Sequence, residues 1–111
     1  LAEAPKPDGI KLAKALFGLH VQELKPEVAR SLKLAVDRGL LVSGADPGSP
    51  AATTGFENGD VIVQIDQYRI YDVETLGNLL AQVKKSERIL FYVVRGRSVT
   101  RAIMTARAPQ E

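Results

Sequence analysis

The first strong pattern in the chain is a period-two alternation over residues 18–24. Leu19 and Val21 fall on one side of this segment. His20 and Gln22 fall on the other side. Such alternation predicts a half-buried strand whose apolar side faces a core. His20, the only histidine of the chain, is therefore expected at the surface.

Short apolar runs bounded by turn residues predict the remaining strands. Asn58-Gly59-Asp60 marks a tight turn into Val61-Ile62-Val63-Gln64-Ile65, a β-branched run that is typical of a buried strand. Asp66-Gln67 then turns the chain toward a further short strand. Strands are predicted over residues 18–24, 40–42, 61–65, 68–71, 88–95 and 98–105.

The segment that begins at Pro26 predicts a helix. Proline is favoured at the first helical position, where its missing N–H has no intrahelical partner. Val28, Leu32 and Val36 then recur every four residues and share one face. The pattern predicts a helix that ends near Gly39.

Two further helices begin at capping residues. Ser49 is expected to cap a short helix that ends at a left-handed Gly55. Asp72 is expected to cap the best helix of the sequence, in which apolar residues recur at helical spacing as far as Val83. Residues 10–16 leave two interpretations open, either one or two helical turns or an approach strand.

Together these elements predict an α+β, mainly β, fold. Five or six short strands combine with two or three helices that do not alternate strictly with them, which disfavours a parallel doubly wound sheet. A partly open barrel capped by the helices fits better. Residues 1–13 are interpreted as a linker or N-terminal extension, residues 14–107 as one domain and residues 108–111 as a tail.

Composition narrows the possible partners. The chain has 111 residues, 45% apolar and 25% charged, with a net charge of only +2. Its basic residues are scattered among acidic ones without interleaved aromatics, so we expect no nucleic-acid partner. No apolar run approaches the roughly 18 residues of a membrane span, so we expect no membrane insertion. The chain starts at Leu1 without Met, and we expect it to be a piece of a longer protein.

The residues needed for catalysis or metal binding are scarce. Cysteine is absent and histidine occurs once, which cannot supply a usual zinc set. No serine lies in a Gly-x-Ser-x-Gly or Gly-Asp-Ser-Gly-Gly motif, and no phosphate-binding loop is present. We therefore expect neither a catalytic site nor a metal nor a cofactor in this chain.

Three ordered motifs resemble those of PDZ domains. Leu16-Phe17-Gly18-Leu19 resembles their X-Φ-Gly-Φ carboxylate-binding loop. Residues 48–62, from Gly48-Ser49-Pro50-Ala51-Ala52 to Gly59-Asp60-Val61-Ile62, are similar to a stretch found in bacterial PDZ domains. Residues 24–39, beginning Leu24-Lys25-Pro26-Glu27, resemble the HtrA/DegP branch, in which a helix follows the ligand-pairing strand. Asp66-Gln67 departs from the Asn-Gly of many relatives.

The resemblance implies a peptide site on the first strand. Backbone N–H groups of residues 16–19 would bind the terminal carboxylate, because Gly18 lets the chain form a concave anion site. The peptide would then add as a strand beside Leu19, His20, Val21 and Gln22. Phe17, Leu19 and Val21 would form the floor of the pocket for the last side chain of the peptide. Alternatively, these three are core residues without a ligand, and Gly18 is an ordinary turn glycine.

The helix that follows Asp72 would form the second wall of the groove. By resemblance, its groove positions fall on Val73, Gly77 and Leu80, which share one face at spacings of four and three. PDZ domains that prefer Ser or Thr two residues before the ligand's end use His at the first of these positions. Because Val73 cannot donate a hydrogen bond, an apolar ligand residue is expected there.

The sequence therefore predicts a peptide-binding module for C-terminal tails of proteins, or for unfolded polypeptides with apolar ends. The resemblance implies a parent of the bacterial HtrA-like serine protease type, periplasmic or secreted. One alternative is an interaction or oligomerisation domain whose groove is self-occupied or closed. Another is a fragment of an enzyme that needs this domain in cis.

Overall fold

The computed structural model describes residues 8–84 and 86–107, and all statements below concern these residues. Within them the chain forms four helices and six strands. The helices are α1 (Gly9–Phe17), α2 (Pro26–Ser31), α3 (Pro50–Thr54) and α4 (Val73–Leu80). The strands are β1 (Leu19–Glu23), β2 (Leu40–Ala45), β3 (Val61–Ile65), β4 (Tyr68–Arg69), β5 (Arg88–Arg95) and β6 (Ser98–Thr105).

The strands form one antiparallel sheet that does not close into a barrel. Its order is β1-β2-β3-β5-β6, and the short β4 pairs with β3 to one side of this path. Strands β1 and β6 are thus the two ends of the sheet. The predicted partly open architecture of five or six strands is confirmed, because the sheet has six strands and is not closed. The described residues contain four helices where two or three were predicted, because residues 10–16 are helical.

One face of the sheet carries the main core. Alternate side chains of a strand point to opposite faces, so Leu40 and Val42 on β2 join Ile62 on β3 and pack beneath α1 and α4. Phe91 on β5 sits among them with its ring centroid 5.3 Å from that of Phe17. The two rings meet edge to face, an arrangement that aromatic quadrupoles favour.

The opposite face carries a smaller apolar cluster. Leu41, Val61 and Val94 point away from the main core and pack against Ala29 of α2 and against Leu24. Helix α2 covers only part of this face, because it is six residues long. Leu34 and Val36, in the loop that follows α2, pack against a further part of the outer face.

The prediction of a helix from Pro26 to near Gly39 is wrong beyond Ser31. Lys33 adopts a left-handed conformation, with φ of 55°, which a continuing helix does not allow. The chain turns there, and Val36 packs onto the outer face of the sheet. Leu32, expected on the buried face of the helix, is 46% exposed.

The predicted capping residues occupy their expected places. Ser49 Oγ accepts a hydrogen bond from the N–H of Ala52 at 3.2 Å, and α3 ends at a left-handed Gly55. Asp72 Oδ1 accepts from the N–H of Thr75 at 2.7 Å and begins α4. Such caps satisfy N–H groups that have no partner in the first helical turn.

Helix α1 resolves the two interpretations left open for residues 10–16. Asp8 Oδ1 accepts from the N–H groups of Ile10 and Lys11, which fixes the beginning of the helix. The helix ends at Gly18, whose φ is 70°. It thus begins inside the segment interpreted as a linker, and the boundary at residue 14 stays a prediction. The remaining linker residues 1–7 and the tail 108–111 lie outside the described residues.

Candidate functional site

Strand β1 presents one edge that no strand covers in the described chain. The Gly18 carbonyl accepts from the Asp46 N–H at 2.8 Å, and the Leu24 N–H donates to the Gly39 carbonyl at 3.0 Å. Residues of even number therefore direct their peptide groups toward β2. The peptide groups of the odd residues, Leu19 and Val21 among them, point to the outer edge, because the direction alternates along a strand.

Helix α4 faces this outer edge. The N–H of Val73 donates to Glu23 Oε1 at 3.2 Å, which links the beginning of α4 to the end of β1. A cavity of about 530 Å³ lies at the same end, and Val73, Gln22 and Ile10 line it. Strand β1 and helix α4, which the sequence predicted as the groove walls, thus border the same cavity.

Helix α1 occupies the space between these two walls. A Cβ atom added to Gly9 would lie 2.5 Å from the Val73 carbonyl oxygen and 2.8 Å from the Gly77 backbone nitrogen. The helix therefore contacts the α4 backbone directly at Gly9. One residue later, Ile10 reaches the cavity beside Gln22 of β1. A segment of the same chain therefore lies against both walls of the groove.

The predicted floor residues, and two of the three predicted wall residues on α4, are buried. Phe17, Leu19 and Val21 lie in the main core with exposed fractions of 4% or less. On α4, Leu80 is buried with them, Gly77 is buried against Gly9, and Val73 is half-buried. The structure brings all these residues together on one side of the sheet. Which of them would contact a ligand stays a prediction.

The predicted carboxylate-binding loop is the end of α1. Leu16 and Phe17 belong to its last turn, and the Gly18 N–H donates to the Lys14 carbonyl at 2.8 Å. A Cβ at Gly18 would lie 2.2 Å from the Ser49 Cβ, so both the left-handed φ and the close approach require glycine. While α1 is in this position, the Gly18 N–H is used by the hydrogen bond to the Lys14 carbonyl and is not available to a ligand.

Arg107 completes this end of α1, and sequence reasoning missed it. Its Nε donates to the Ala15 carbonyl at 3.1 Å and its Nη2 to the Lys14 carbonyl at 3.2 Å. Its backbone N–H donates to the Leu16 carbonyl at 3.0 Å. These carbonyls form the negative end of the helix dipole, which favours a cation. The contact spans more than ninety residues of chain, and no local signal announces it.

His20 lies on the outward side of β1, as the alternation predicted. Its side chain is 39% exposed, and its Nε2 donates to Asp46 Oδ1 at 2.7 Å. This hydrogen bond holds the pKa of Asp46 below its usual range. Gln22, the next outward residue, is exposed.

The fold and the groove have clear counterparts among known proteins. A family model described as a PDZ domain matches residues 41–94. The chain belongs to the PDZ family. Its relatives include the probable periplasmic serine endoprotease DegP-like of Chlamydia trachomatis, 35% identical over 86% of the chain. The DegP-like protein of Marinomonas sp. is 30% identical over 96% of it.

Solved structures repeat the comparison in three dimensions. The HtrA-type protease AlgW with a decapeptide has a TM-score of 0.78 and is 29% identical over 87% of this PDZ domain and 30% of that chain. The HtrA3 PDZ domain with a phage-derived ligand has a TM-score of 0.70, and the match covers 84% of this chain and 85% of that chain. Its sequence is 22% identical, so the comparison shows a similar fold. The PDZ domain spans only 19% of the length of the Chlamydia relative and 23% of the Marinomonas relative.

The described residues of this PDZ domain contain neither a metal-binding cluster of side chains nor a membrane-spanning helix. None of their side chains form a cluster of three or more His, Asp or Glu that could hold a metal ion. Within the same residues, no helix has the length and apolar character needed to cross a bilayer.

Proposed function

We propose that this PDZ domain binds the C-terminal tails of polypeptides, which add as a strand to the outer edge of β1. The observation that carries the proposal is the edge itself, which has no strand partner in the described chain and faces α4. The AlgW relative was solved with a decapeptide, which supports the same use here. An extended peptide on a sheet edge gains main-chain hydrogen bonds, while alternate side chains enter pockets.

The chemistry of the groove favours an apolar tail. N–H groups of residues 16–19 would bind the carboxylate, and each hydrogen bond to a charged acceptor contributes about 1.5–3 kcal/mol. Leu19, Val21 and Leu80 would enclose the last side chain, whose burial contributes about 1.5–3 kcal/mol. After ordering costs, an affinity in the micromolar range follows, roughly −7 to −8 kcal/mol.

The parent protein is proposed to be a periplasmic HtrA-like serine protease, since the DegP-like relatives carry that description. The PDZ domain would present unfolded or cleaved polypeptides to the protease, which lies outside this chain. It has no catalytic role of its own in this proposal.

Helix α1 must leave the groove before a tail can enter. The peptide and α1 require the same space between β1 and α4, and the Gly18 amide cannot serve both. The apparent affinity is therefore reduced by the fraction of molecules in which α1 is undocked. A tail binds by shifting this population.

The packing of Gly9 also favours a second candidate function. A helix seated this closely on the α4 backbone suits an interaction domain whose groove is permanently held by its own chain. In that case β1 never receives an external strand, and the domain contributes other surfaces to its parent.

Two glycine variants separate the candidates. Gly9→Val places a side chain against the backbone of α4 and should undock α1. Gly44→Val is the matched control, because a Cβ at Gly44 meets no atom within 4 Å. Apolar peptides with a free carboxylate, and their C-terminal amides, are titrated into each protein while the amide NMR signals of residues 17–24 are followed.

The peptide-binding function predicts that the free-carboxylate peptide shifts these signals, and that the amide does not. Gly9→Val should bind at least about fivefold more tightly than the Gly44→Val protein, since the competing helix is weakened. If neither protein responds to any free-carboxylate peptide while both remain folded, the groove is unused and the second candidate stands.

A further inference from the structure

A second concave surface lies on the face of the sheet opposite α4. It is a basin of about 920 Å³ whose floor is apolar. Floor residues come from α2, from the loop after it and from three strands: Ala29, Leu34, Val36, Val63, Val94 and Val99. Val99 is 66% exposed, so the floor is open to solvent. The main core and the peptide groove lie on the other side of the sheet.

Cations dominate the rim of this basin. Five of them line it, contributed by α2, the following loop, β4 and the β5–β6 turn: Arg30, Lys33, Arg38, Arg69 and Arg97. Asp37 is the only carboxylate among the lining residues. All five cations are exposed, and in the described chain none of them forms an ion pair with a carboxylate. Arg95, by contrast, pairs with both Asp60 and Glu57.

Part of the rim is held in place. The Arg38 guanidinium lies over the Tyr71 ring, 6.0 Å from its centroid, and Arg69 Nη1 donates to the Tyr71 hydroxyl at 3.3 Å. The Ala35 N–H donates to the Gly96 carbonyl at 3.0 Å and ties the loop after α2 to the β5–β6 turn. Two of the five cations, Arg38 and Arg69, are therefore held beside the apolar floor by Tyr71, so a ligand meets a surface that is partly arranged in advance.

We propose that this basin binds an acidic polypeptide segment of a partner protein, with apolar side chains on the floor and carboxylates at the rim. The excess of cations over carboxylates sets the charge of the partner. The concave shape favours a polypeptide over a lipid surface, since a flat layer of headgroups would touch the rim without filling the floor. A single-stranded nucleic acid gains affinity from aromatic stacking partners, and Tyr71 is the only aromatic residue that lines the basin.

The probe is an acetylated and amidated peptide in which Leu and Phe alternate with Glu and Asp. Blocking both ends removes the terminal carboxylate that the peptide groove requires, so failure of either proposal leaves the other intact. A second peptide replaces Glu and Asp by Gln and Asn, and a third replaces Leu and Phe by Ser. Binding is measured by calorimetry at two salt concentrations, about 50 mM and about 300 mM NaCl, because exposed charge pairs are screened over this range.

Charge reversal at the rim gives the first test. Lys33→Glu with Arg97→Glu should weaken binding of the acidic peptide by about tenfold, since two attractive positions become repulsive. Arg88→Glu with Arg101→Glu makes the same change in net charge outside the basin and should leave the affinity within about twofold. Thermal unfolding verifies that both proteins are folded.

The floor gives the second test. Val99→Ser should weaken binding several-fold. Ile103→Ser is its matched control on the same strand, because Ile103 is similarly exposed at 53% and does not line the basin.

The proposal is overturned if the acidic peptide does not bind, if both charge-reversed proteins lose affinity equally, or if the neutral peptide or the Ser peptide binds as tightly as the acidic one. It is also overturned if the rim variant abolishes binding to phosphatidylglycerol vesicles or duplex DNA while leaving peptide binding unchanged.

Discussion

Gly9 packs directly against the backbone nitrogen of Gly77, and an added Cβ on Gly9 would approach that atom to 2.8 Å. Together with the approach of Gly9 to the Val73 carbonyl oxygen, this contact seats the first helix on the helix that forms the groove wall. Side chains elsewhere on α1, including Ala13 and Leu16, are buried in the same core. The close approach of α1 to the α4 backbone therefore requires that position 9 carry no side chain.

The first prediction is that Gly9→Ala destabilises the domain. Alanine favours a helix over glycine by about 1 kcal/mol, so local propensity alone would raise the stability. The clash with the α4 backbone acts in the opposite direction, and we expect a lower midpoint of thermal unfolding with faster hydrogen exchange in α1. An equal or higher midpoint than that of Gly44→Ala would show that α1 is not seated on α4 as described.

The second prediction concerns Gly18. Its φ of 70° costs an L-residue about 1–2 kcal/mol, and a Cβ would also collide with Ser49. Gly96→Ala is a matched control, since Gly96 has a φ of 65° and no atom within 4 Å of an added Cβ. Denaturant unfolding should give a larger loss for Gly18→Ala than for Gly96→Ala, and equal losses would exclude a contribution from Ser49.

The third prediction concerns the cap of α4. Hydrogen bonds from Thr75 hold the pKa of Asp72 below its ordinary value. Asp72→Ala should reduce the free energy of unfolding by about 1 kcal/mol at neutral pH. Because the folded pKa is the lower one, this stabilisation is present above the unfolded pKa, near 4, and is lost as the pH falls through the folded value.

Asp72→Asn tests the electrostatic part of that cap. Asparagine keeps the hydrogen bond but does not titrate. The difference in unfolding free energy between the native chain and Asp72→Asn should therefore shrink as the pH is lowered below about 4. A difference that is constant from neutral to acidic pH would contradict the assignment.

The fourth prediction concerns a buried carboxylate. Asp60 is 2% exposed and accepts hydrogen bonds from Arg95 Nε and Nη2, each at 2.9 Å, and from the Glu57 N–H. The carboxylate raises the pKa of Arg95 above its ordinary value. Asp60→Ala should cost roughly 1–3 kcal/mol, because the Arg95 guanidinium and the Glu57 N–H both lose their carboxylate acceptor.

Glu57→Ala provides the comparison for Asp60. Glu57 also approaches Arg95, with its Oε2 3.3 Å from Nε, but its side chain is 66% exposed. Its loss should cost less than about 1 kcal/mol, as is usual for exposed pairs. If urea unfolding gives similar losses of unfolding free energy for Glu57→Ala and Asp60→Ala, the burial of Asp60 does not add to the strength of its pairing with Arg95.

Local signals predicted the parts of the fold that local chemistry decides. The caps at Ser49 and Asp72 were predicted because their side chains bond to N–H groups three residues later. The alternation that placed His20 outward on β1 is equally local. The placement of the peptide groove between the first strand and the helix after Asp72 came from the resemblance to PDZ domains.

Features that depend on distant segments could not be predicted. Helical spacing predicts a longer α2, but the chain turns at Lys33 and Val36 packs on the outer face of the sheet. Arg107 meets the end of α1, and Arg95 meets Asp60, across gaps that sequence spacing does not reveal. The position of α1 in the groove likewise rests on tertiary packing at Gly9.

In the proposed function, the covalent link between α1 and β1 makes the competition for the groove independent of protein concentration. A separate inhibitor would dissociate on dilution, whereas a tethered helix keeps the same effective concentration beside its site. The occupied fraction therefore responds to the supply of tails alone, with a threshold set by the docking free energy of one short helix.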